Sequence, residues 1–350
     1  MTPPPVFPLE SRALLPGMSP AALRRMLLQQ AQEHGLPVVE DSPERVTVEV
    51  PGFGHYRMAA HGSAAEAGVA AALPDRLFML QEGLAEHLKT LQPGAAGALQ
   101  WSGASAAGSL PPNVHFTTVR SVTPVGRCFL RVRVQGGDLS GFREDAIHFR
   151  LLLPPPGCAE PEWPKLGSNG AAQWPKGDKA LHRPVYTTRW ICHESAQMEF
   201  DIFLHDGGRA AEWARQAAAG DQLAIAGPGG GGIPRASRLL ICADETALPA
   251  AARILQSLPA GSRGKATLMA AGGADCGYPV AAPEGVEVTW IRREDGGSLA
   301  ARAVAERERH PGRFLWFGGE KAEAQRVRQA VKAARAEPAN SYIAAYWSMS

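Results

Sequence analysis

Arg183-Pro-Val-Tyr-Thr-Thr-Arg-Trp-Ile191 opens the stretch that decides the fold, and Arg238-Leu-Leu-Ile-Cys-Ala-Asp-Glu-Thr-Ala-Leu-Pro-Ala250 closes it. The first segment is rich in β-branched and aromatic residues behind a proline, which predicts a strand over 185–191. On an ideal strand Arg183 and Arg189 share one face with Val185 and Thr187, while Pro184, Tyr186 and Thr188 point the other way. The second segment is an apolar strand that runs straight into a helix. Between them lie His205, the turn Gly207-Gly208, a short helix around Trp213, Gly220-Asp221 and Gly227-Pro228.

Outward from these segments the chain has two rhythms. Runs over 115–123, 128–135, 148–153, 185–191 and 199–204 are short and β-rich, separated by glycine, proline and charge. Several such runs without long helices predict an antiparallel barrel. From Arg238 onward, apolar strands over 239–243, 266–269, 286–290 and 314–317 alternate with helical stretches over 248–257, 298–309 and 320–335. That alternation predicts a parallel sheet with a nucleotide crevice at the carboxyl ends of its strands.

Ahead of both, Ser19-Pro20 is an N-cap followed by proline at the first helical position, opening a helix over 19–34. Residues 45–50 alternate at period two, and 55–59 return beside them across Pro51-Gly-Phe-Gly54. A helix over 75–91 places Leu77, Leu80, Leu84 and Leu88 on one stripe. The organisation expected is therefore multidomain α+β. A small α+β domain spans 1–101, a small-residue linker 102–112, a barrel domain 113–233 and an α/β domain 234–350.

Composition limits the function. The chain has 350 residues, 45% hydrophobic and 20% charged, which suits a globular protein of two or three domains. A net charge of +2 provides no global field for nucleic acid or an acidic membrane. No apolar run is long enough to span a bilayer, and the start Met-Thr-Pro-Pro-Pro lacks the charged and apolar regions of a secretory signal. The expected location is the cytoplasm. Five scattered cysteines (Cys128, Cys158, Cys192, Cys242 and Cys276) have neither zinc spacing nor the clustering of iron–sulfur ligands, so they read as reduced, buried thiols. No resident metal is expected.

The ordered series from Arg183 to Ala250 resembles the siderophore-interacting protein family of FAD-dependent ferric-siderophore reductases, relatives of the ferredoxin reductases. That family has Arg-x-Tyr-Thr-x-Arg, a His-Gly-rich turn leading to Trp-Ala, Gly-Asp, Gly-Pro and Gly-Asp-Glu-Thr-Ala-Leu-Pro-Ala, in this order. The resemblance covers roughly 113–350. The approach Arg143 to Pro154, Trp290-Ile-Arg292, Gly319-Glu320 and the late Tyr346-Trp347 also fit it. The first hundred residues resemble a small domain sometimes fused ahead of this family, with an accessory or dimerisation role as the hypothesis.

The resemblance implies an FAD cradle in the barrel and an NAD(P)H-binding, Rossmann-like α/β domain. Arg183 would grip the FAD phosphates, because a guanidinium fork matches phosphate oxygens. Tyr186 would stack on the flavin and Thr187 would bond near its reactive nitrogen, partly through its backbone; Arg189 completes the motif. His205, Gly208, Ala210, Ala211 and Trp213 would form the helix start that receives the diphosphate. Asp244, Thr246 and Ala247 would face the flavin and the nicotinamide. Three positions depart from the family: Arg209 replaces a proline, Ala211 a hydroxyl residue and Ala243 a glycine. The missing hydroxyl weakens diphosphate binding by one hydrogen bond, roughly 0.5–1.5 kcal/mol.

The implied acceptor is Fe(III) in an anionic siderophore, met by basic residues. Arg150 is the first choice, with Lys179, Arg235 and Arg292 behind it, and Trp347 closing over the site. The family's basic residue after this tryptophan is Ser348 here, and its arginine after Gly-Pro is Gly229. The electrons would come from NADH, NADPH or reduced ferredoxin. Plainer readings stand beside each of these. The arginine-rich strand is also an ordinary exposed strand, His205 and Trp213 also pack a core or rim, and Asp244 or Thr246 also caps the helix containing Pro249. Arg292 and Arg293 either meet an NADP phosphate or cap their strand. A general NAD(P)H- or ferredoxin-linked flavin oxidoreductase and a non-catalytic siderophore-binding protein are the alternatives. Gly229-Gly-Gly-Gly232 precedes a strand, the wrong side for a phosphate loop, and reads as a hinge.

Overall fold

Period-two alternation builds the amino-terminal sheet. In β1 (Leu9–Leu15) every second residue is buried, ending on Ala13 and Leu15. β2 (Val38–Asp41), β3 (Arg45–Val50), β4 (Gly54–His61) and β5 (Ala64–Ala71) complete an antiparallel sheet in the order β1-β5-β4-β3-β2. The computed structural model describes residues 7–34, 36–91, 99–103, 106–144, 146–336 and 340–348. The Met-Thr-Pro-Pro-Pro start at 1–6 and part of the proposed linker, 104–105, lie outside these residues. Two helices cover this sheet. α1 (Pro20–His34) is capped by Ser19, whose Oγ accepts the Ala22 N–H at 3.3 Å, and α2 (Pro74–Leu91) carries the predicted leucine stripe. Leu80, Leu84 and Leu88 are buried with Leu23, Leu27, Val46, Val48 and Met58. Each such side chain contributes about 1.5–3 kcal/mol by leaving water.

The middle of the chain forms the expected barrel. β6 (Val114–Val125), β7 (Phe129–Gly136), β8 (His148–Leu152), β11 (Val185–Cys192), β12 (Gln197–Phe203) and β13 (Gln222–Gly229) close in the order β11-β12-β7-β6-β13-β8. A two-stranded ribbon of β9 (Lys165–Leu166) and β10 (Ala172–Gln173) and the short helix α3 (Arg209–Gln216) are inserted.

The α/β part has the parallel order β16-β15-β14-β17-β18, from β14 (Arg238–Ala243), β15 (Arg263–Ala270), β16 (Val286–Arg292), β17 (Phe314–Glu320) and β18 (Ser341–Trp347). The helices α4 (Leu248–Ser257), α5 (Leu299–Arg309) and α6 (Lys321–Ala333) cover it. Alternation along β14 divides the layers. Leu239, Ile241 and Ala243 pack with α4, whereas Leu240 and Cys242 pack with α5 and α6. The strand order reverses beside β14, flanked by β15 and β17, which is where an open α/β sheet offers its crevice.

The chain divides into two compact units, Met1–His115 with Leu152–Arg183 and Ala224–Gly229, and Phe116–Leu151 with Pro184–Leu223 and Gly230–Ser350. All five cysteines are free thiols. Only Cys242 and Cys276 are buried; Cys128, Cys158 and Cys192 are half-buried, which corrects the sequence reading. In the glycine run, a Cβ on Gly230 would come within 2.6 Å of His148, and one on Gly231 within 2.4 Å of Tyr342. Close packing accounts for these two glycines better than flexibility does.

Candidate functional site: a flavin cradle

The decisive strand is β11, and it is bulged. Val185, Tyr186 and Thr187 pair with Arg150, Phe149 and His148 of β8, and Thr188 pairs with Phe200 of β12. The register then shifts so that Trp190 pairs with Glu199, which leaves Arg189 as the extra residue. A bulge breaks simple alternation and re-aims one side chain. Thr187 and Thr188 are accordingly both buried, while Val185 is 50% exposed. The expected common face of Arg183, Val185, Thr187 and Arg189 does not exist. Arg183 precedes the strand, its guanidinium 4.1 Å above the Trp174 ring.

Arg189 turns inward instead. Its Nε lies 3.8 Å from Asp201 and, though buried, has no hydrogen-bond partner. Asp201 is already engaged by Arg131 at 2.7 and 2.8 Å and by the Tyr278 hydroxyl. Tyr186 is half-buried, its ring 6.0 Å from that of Phe200, and burial pushes its phenol above the ordinary range. Thr187 Oγ1 lies 3.2 Å from His148 Nδ1, and His148 Nε2 lies 3.2 Å from the Tyr346 hydroxyl. Burial lowers the His148 pKa to about 4; the Tyr186 carbonyl opposes this and Arg253 adds to it.

The helix start has a different character. Gly207 has φ +72° and Gly208 is the N-cap of α3, with no side chain capping the first turn. A Cβ on Gly208 would come within 2.6 Å of the His205 ring. Ala210 and Ala211 are buried, Trp213 is half-buried, and His205 is exposed with its ring stacked 5.9 Å from Phe203. Backbone N–H donors backed by methyl groups, with Arg209 at the first position, form a donor set suited to a diphosphate. The residues present fit the phosphates of a dinucleotide.

After β14 the polar groups are instead internally satisfied. Asp244 is buried. Its Oδ1 accepts from the Thr246 N–H at 3.0 Å and hydroxyl at 2.6 Å, and its Oδ2 accepts from Trp347 Nε1 at 2.6 Å. Burial raises its pKa, and the bonds from Thr246 and Trp347 oppose that rise. Buried Glu245 accepts from Arg293 and from the Ala271 N–H at 2.8 Å. The regular part of α4 starts after Ala247, which makes no side-chain cap bond, but Asp244 holds the capping geometry the sequence suggested: its carbonyl accepts the Leu248 N–H at 2.9 Å while its Oδ1 accepts the Thr246 N–H. Arg293 is held by Glu245 and lies 6.0 Å from the Trp347 ring.

β18 carries a second bulge. Ala345 pairs with Gly319 and Trp347 with Glu320, so Tyr346 is the extra residue. This lets Tyr346 reach His148 while its neighbour Trp347 reaches Asp244. Trp347 is thus tied to Asp244 at the end of the sheet. It lines a cavity of about 410 Å3 at the carboxyl ends of the sheet with Asp244, Met269, Arg293, Ser298 and Glu320.

The expected basic residues have different surroundings. Arg150 is exposed on β8 opposite Val185, and Arg235 is exposed just before β14. Lys179 pairs with Glu162, and Arg292 with Asp275 at 3.1 Å. Thus Asp244, Thr246 and Trp347 come together, as do Thr187, His148 and Tyr346. Sequence reasoning did not find the bonded roles of His148, Tyr346, Asp201 and Tyr278, because no spacing links residues so far apart. Among the described residues no group of three His, Cys, Asp or Glu side chains is placed to hold a metal ion.

Comparison with known proteins matches this chain to one family. Residues 118–232 match the siderophore-interacting FAD-binding domain, and residues 236–350 match the siderophore-interacting protein domain. An NADPH-dependent ferric-chelate reductase of Escherichia coli is 30% identical over 240 residues, covering 66% of this chain and 91% of that protein. The chain belongs to the siderophore-interacting protein family. The ferric vibriobactin reductase of Vibrio cholerae is 29% identical over 194 residues, covering 52% of this chain and 67% of that one. A crystallised siderophore utilization protein from T. fusca superposes with a TM-score of 0.57 at 27% identity, covering 69% of this chain and 95% of that one. This member of the family is an FAD-dependent oxidoreductase, with its flavin domain in the barrel region. No helix among the described residues is long and apolar enough to cross a membrane.

Proposed function

We propose that this protein is a cytoplasmic ferric-siderophore reductase, which reduces siderophore-bound Fe(III) to Fe(II) and so loosens the iron. Hard anionic oxygen ligands favour Fe(III), and one-electron reduction weakens their hold. Bound FAD supplies the conversion of a two-electron donor into single electrons. The chain's own residues bind and orient. By its place in the motif Arg183 holds the diphosphate together with the first turn of α3, where Gly208, Ala210 and Ala211 clear the backbone donors and His205 and Trp213 flank them. Tyr186 lies against the flavin, Thr187 meets its reactive edge, and Arg189 adds positive charge. Asp244, Thr246 and Ala247 shape the crevice floor where NADH or NADPH would donate. Arg150, with Lys179, Arg235 and Arg292, provides cations for the anionic siderophore, and Trp347 walls the site.

The domains follow from this assignment: FAD over 113–233, nicotinamide over 234–350, an accessory domain over 1–101 and a linker over 102–112. The observation that carries the reading is the uncapped, methyl-lined start of α3. Purification under native conditions tests it: the protein should be yellow. After anaerobic reduction, a ferric siderophore should reoxidise its flavin faster than a quinone or free flavin does. A colourless chain, or indifference to the ferric complex, defeats the proposal.

Reduced ferredoxin is the second donor to consider, on a specific observation. The first turn of α5, beside the crevice, is already occupied: Ser298 caps it, and Glu323 accepts from the Ala300 N–H at 2.9 Å. That helix end has little left for a nucleotide phosphate. Comparing flavin reduction by NADPH, by NADH and by reduced ferredoxin separates the donors.

A further inference from the structure

His148 is a buried imidazole that the chemistry above leaves unused. It stands on β8, opposite Thr187 in the sheet register. One ring nitrogen faces the Thr187 hydroxyl and the other the Tyr346 hydroxyl, each at 3.2 Å. Gly230 packs against it without slack: a Cβ there would come within 2.6 Å of its ring. Its two hydroxyl partners are not equivalent. A phenol is a stronger donor than an aliphatic hydroxyl, so Tyr346 gives its hydrogen to Nε2. Nδ1 then carries the ring hydrogen, which the Thr187 oxygen and the Tyr186 carbonyl share as acceptors. Thr187, having accepted there, keeps its own hydroxyl hydrogen for one further acceptor.

We propose that His148 is a positioning residue for the flavin: a fixed bridge from Tyr346 that orients the Thr187 hydroxyl as a donor toward the cofactor's reactive edge. The inference rests on the flavin reading of this strand and names the residue that sets its donor geometry. The bulge in β18 supplies Tyr346 to the bridge, so the last strand of the sheet takes part in orienting a hydroxyl on the barrel.

The test uses the full-length, flavin-loaded chain. The midpoint potential of the bound flavin is measured for wild type, Thr187→Val, His148→Phe, Tyr346→Phe and the Thr187→Val/His148→Phe pair. Thr187→Val and His148→Phe should shift the potential in the same direction, and the pair should shift it no further than Thr187→Val alone. Tyr346→Phe, which removes one oxygen and keeps the ring, should give a smaller shift of the same sign. His148→Gln, whose amide N–H can still reach Thr187, should recover part of the shift. Nitrogen-15 spectra of wild type should show the Nδ1–H tautomer, and Tyr346→Phe should change it. A purely structural role would lower flavin occupancy or stability and leave the potential of the remaining bound flavin in place. A potential that ignores both His148→Phe and Tyr346→Phe, or shifts that simply add, overturns the inference while leaving the flavin reading intact. A wild-type chain that binds no flavin overturns both.

Discussion

The start of α3 and the loop after β14 treat their polar groups in opposite ways. The helix start leaves its first-turn donors without a side-chain cap, behind glycines and buried methyl groups. The loop engages its own polar atoms: Asp244 is bonded to Thr246 and Trp347, and Glu245 to Arg293 and the Ala271 backbone. Both regions look like cofactor motifs in sequence. In the folded protein one offers donors to a ligand and the other makes a rigid wall. Binding energy for an anion should reside at the first, and folding energy at the second.

The largest expected effect breaks the open side. Arg183→Ala with Tyr186→Ala removes a charge-assisted phosphate contact and a stacking ring, together roughly 3–4 kcal/mol, or a hundred-fold to thousand-fold in FAD affinity. The purified double variant should be folded by circular dichroism and nearly colourless. Stoichiometric flavin in it would refute the cradle.

The His148 bridge between Thr187 of β11 and Tyr346 of β18 gives a pH signature. Burial holds His148 at about 4 in the folded chain, against an ordinary 6.5. Between those values the unfolded chain binds a proton that the folded chain does not, so this contribution to stability is lost as pH falls from about 6.5 to about 4. The loss across that window is about 3 kcal/mol. His148→Gln cannot titrate, and urea unfolding at stepped pH should show a flatter profile for it than for wild type. Equal slopes would mean that the imidazole sits in water.

On the closed side, Asp244→Ala strands the Trp347 indole N–H and the Thr246 hydroxyl. It should cost about 2 kcal/mol in unfolding free energy while leaving the flavin-to-protein ratio close to wild type; a large loss of flavin with unchanged stability would reverse the contrast. The smallest change sharpens the open side. Ala211→Ser restores the hydroxyl common in the family and should tighten FAD by roughly 0.5–1.5 kcal/mol, read by fluorescence titration of the flavin-free protein.

Much of this was legible in the chain. The alternation at 45–50, the leucine stripe of α2 and the Ser19-Pro20 cap each expressed one local rule, and each element forms where expected. Other elements escaped because their residues say little locally. β5 is mostly alanine, weak in β-propensity, and becomes a strand only between β1 and β4. β13 ends in Gly-Pro-Gly, which reads as punctuation rather than strand. β18 was visible only through Tyr346-Trp347. The site divided the same way. Tyr186, Thr187 and the α3 start were readable as a motif, whereas the Asp201–Tyr278 bond joins residues 77 positions apart. Neither bulge has a signature in the sequence, and each one decides where an arginine or a tyrosine points.

The bulge in β18 has a consequence for how the end of this strand can vary. In a regular strand, neighbours face opposite sides, and a one-residue slip exchanges them. Here the extra residue lets a phenol and the indole beside it serve two different partners. Deleting a single alanine ahead of them would leave a strand of ordinary composition with both aromatic rings still present, yet each would be carried away from its partner. What the strand must preserve is therefore a count of residues as much as their identity, and a length change there should be harder to tolerate than a conservative exchange of either ring.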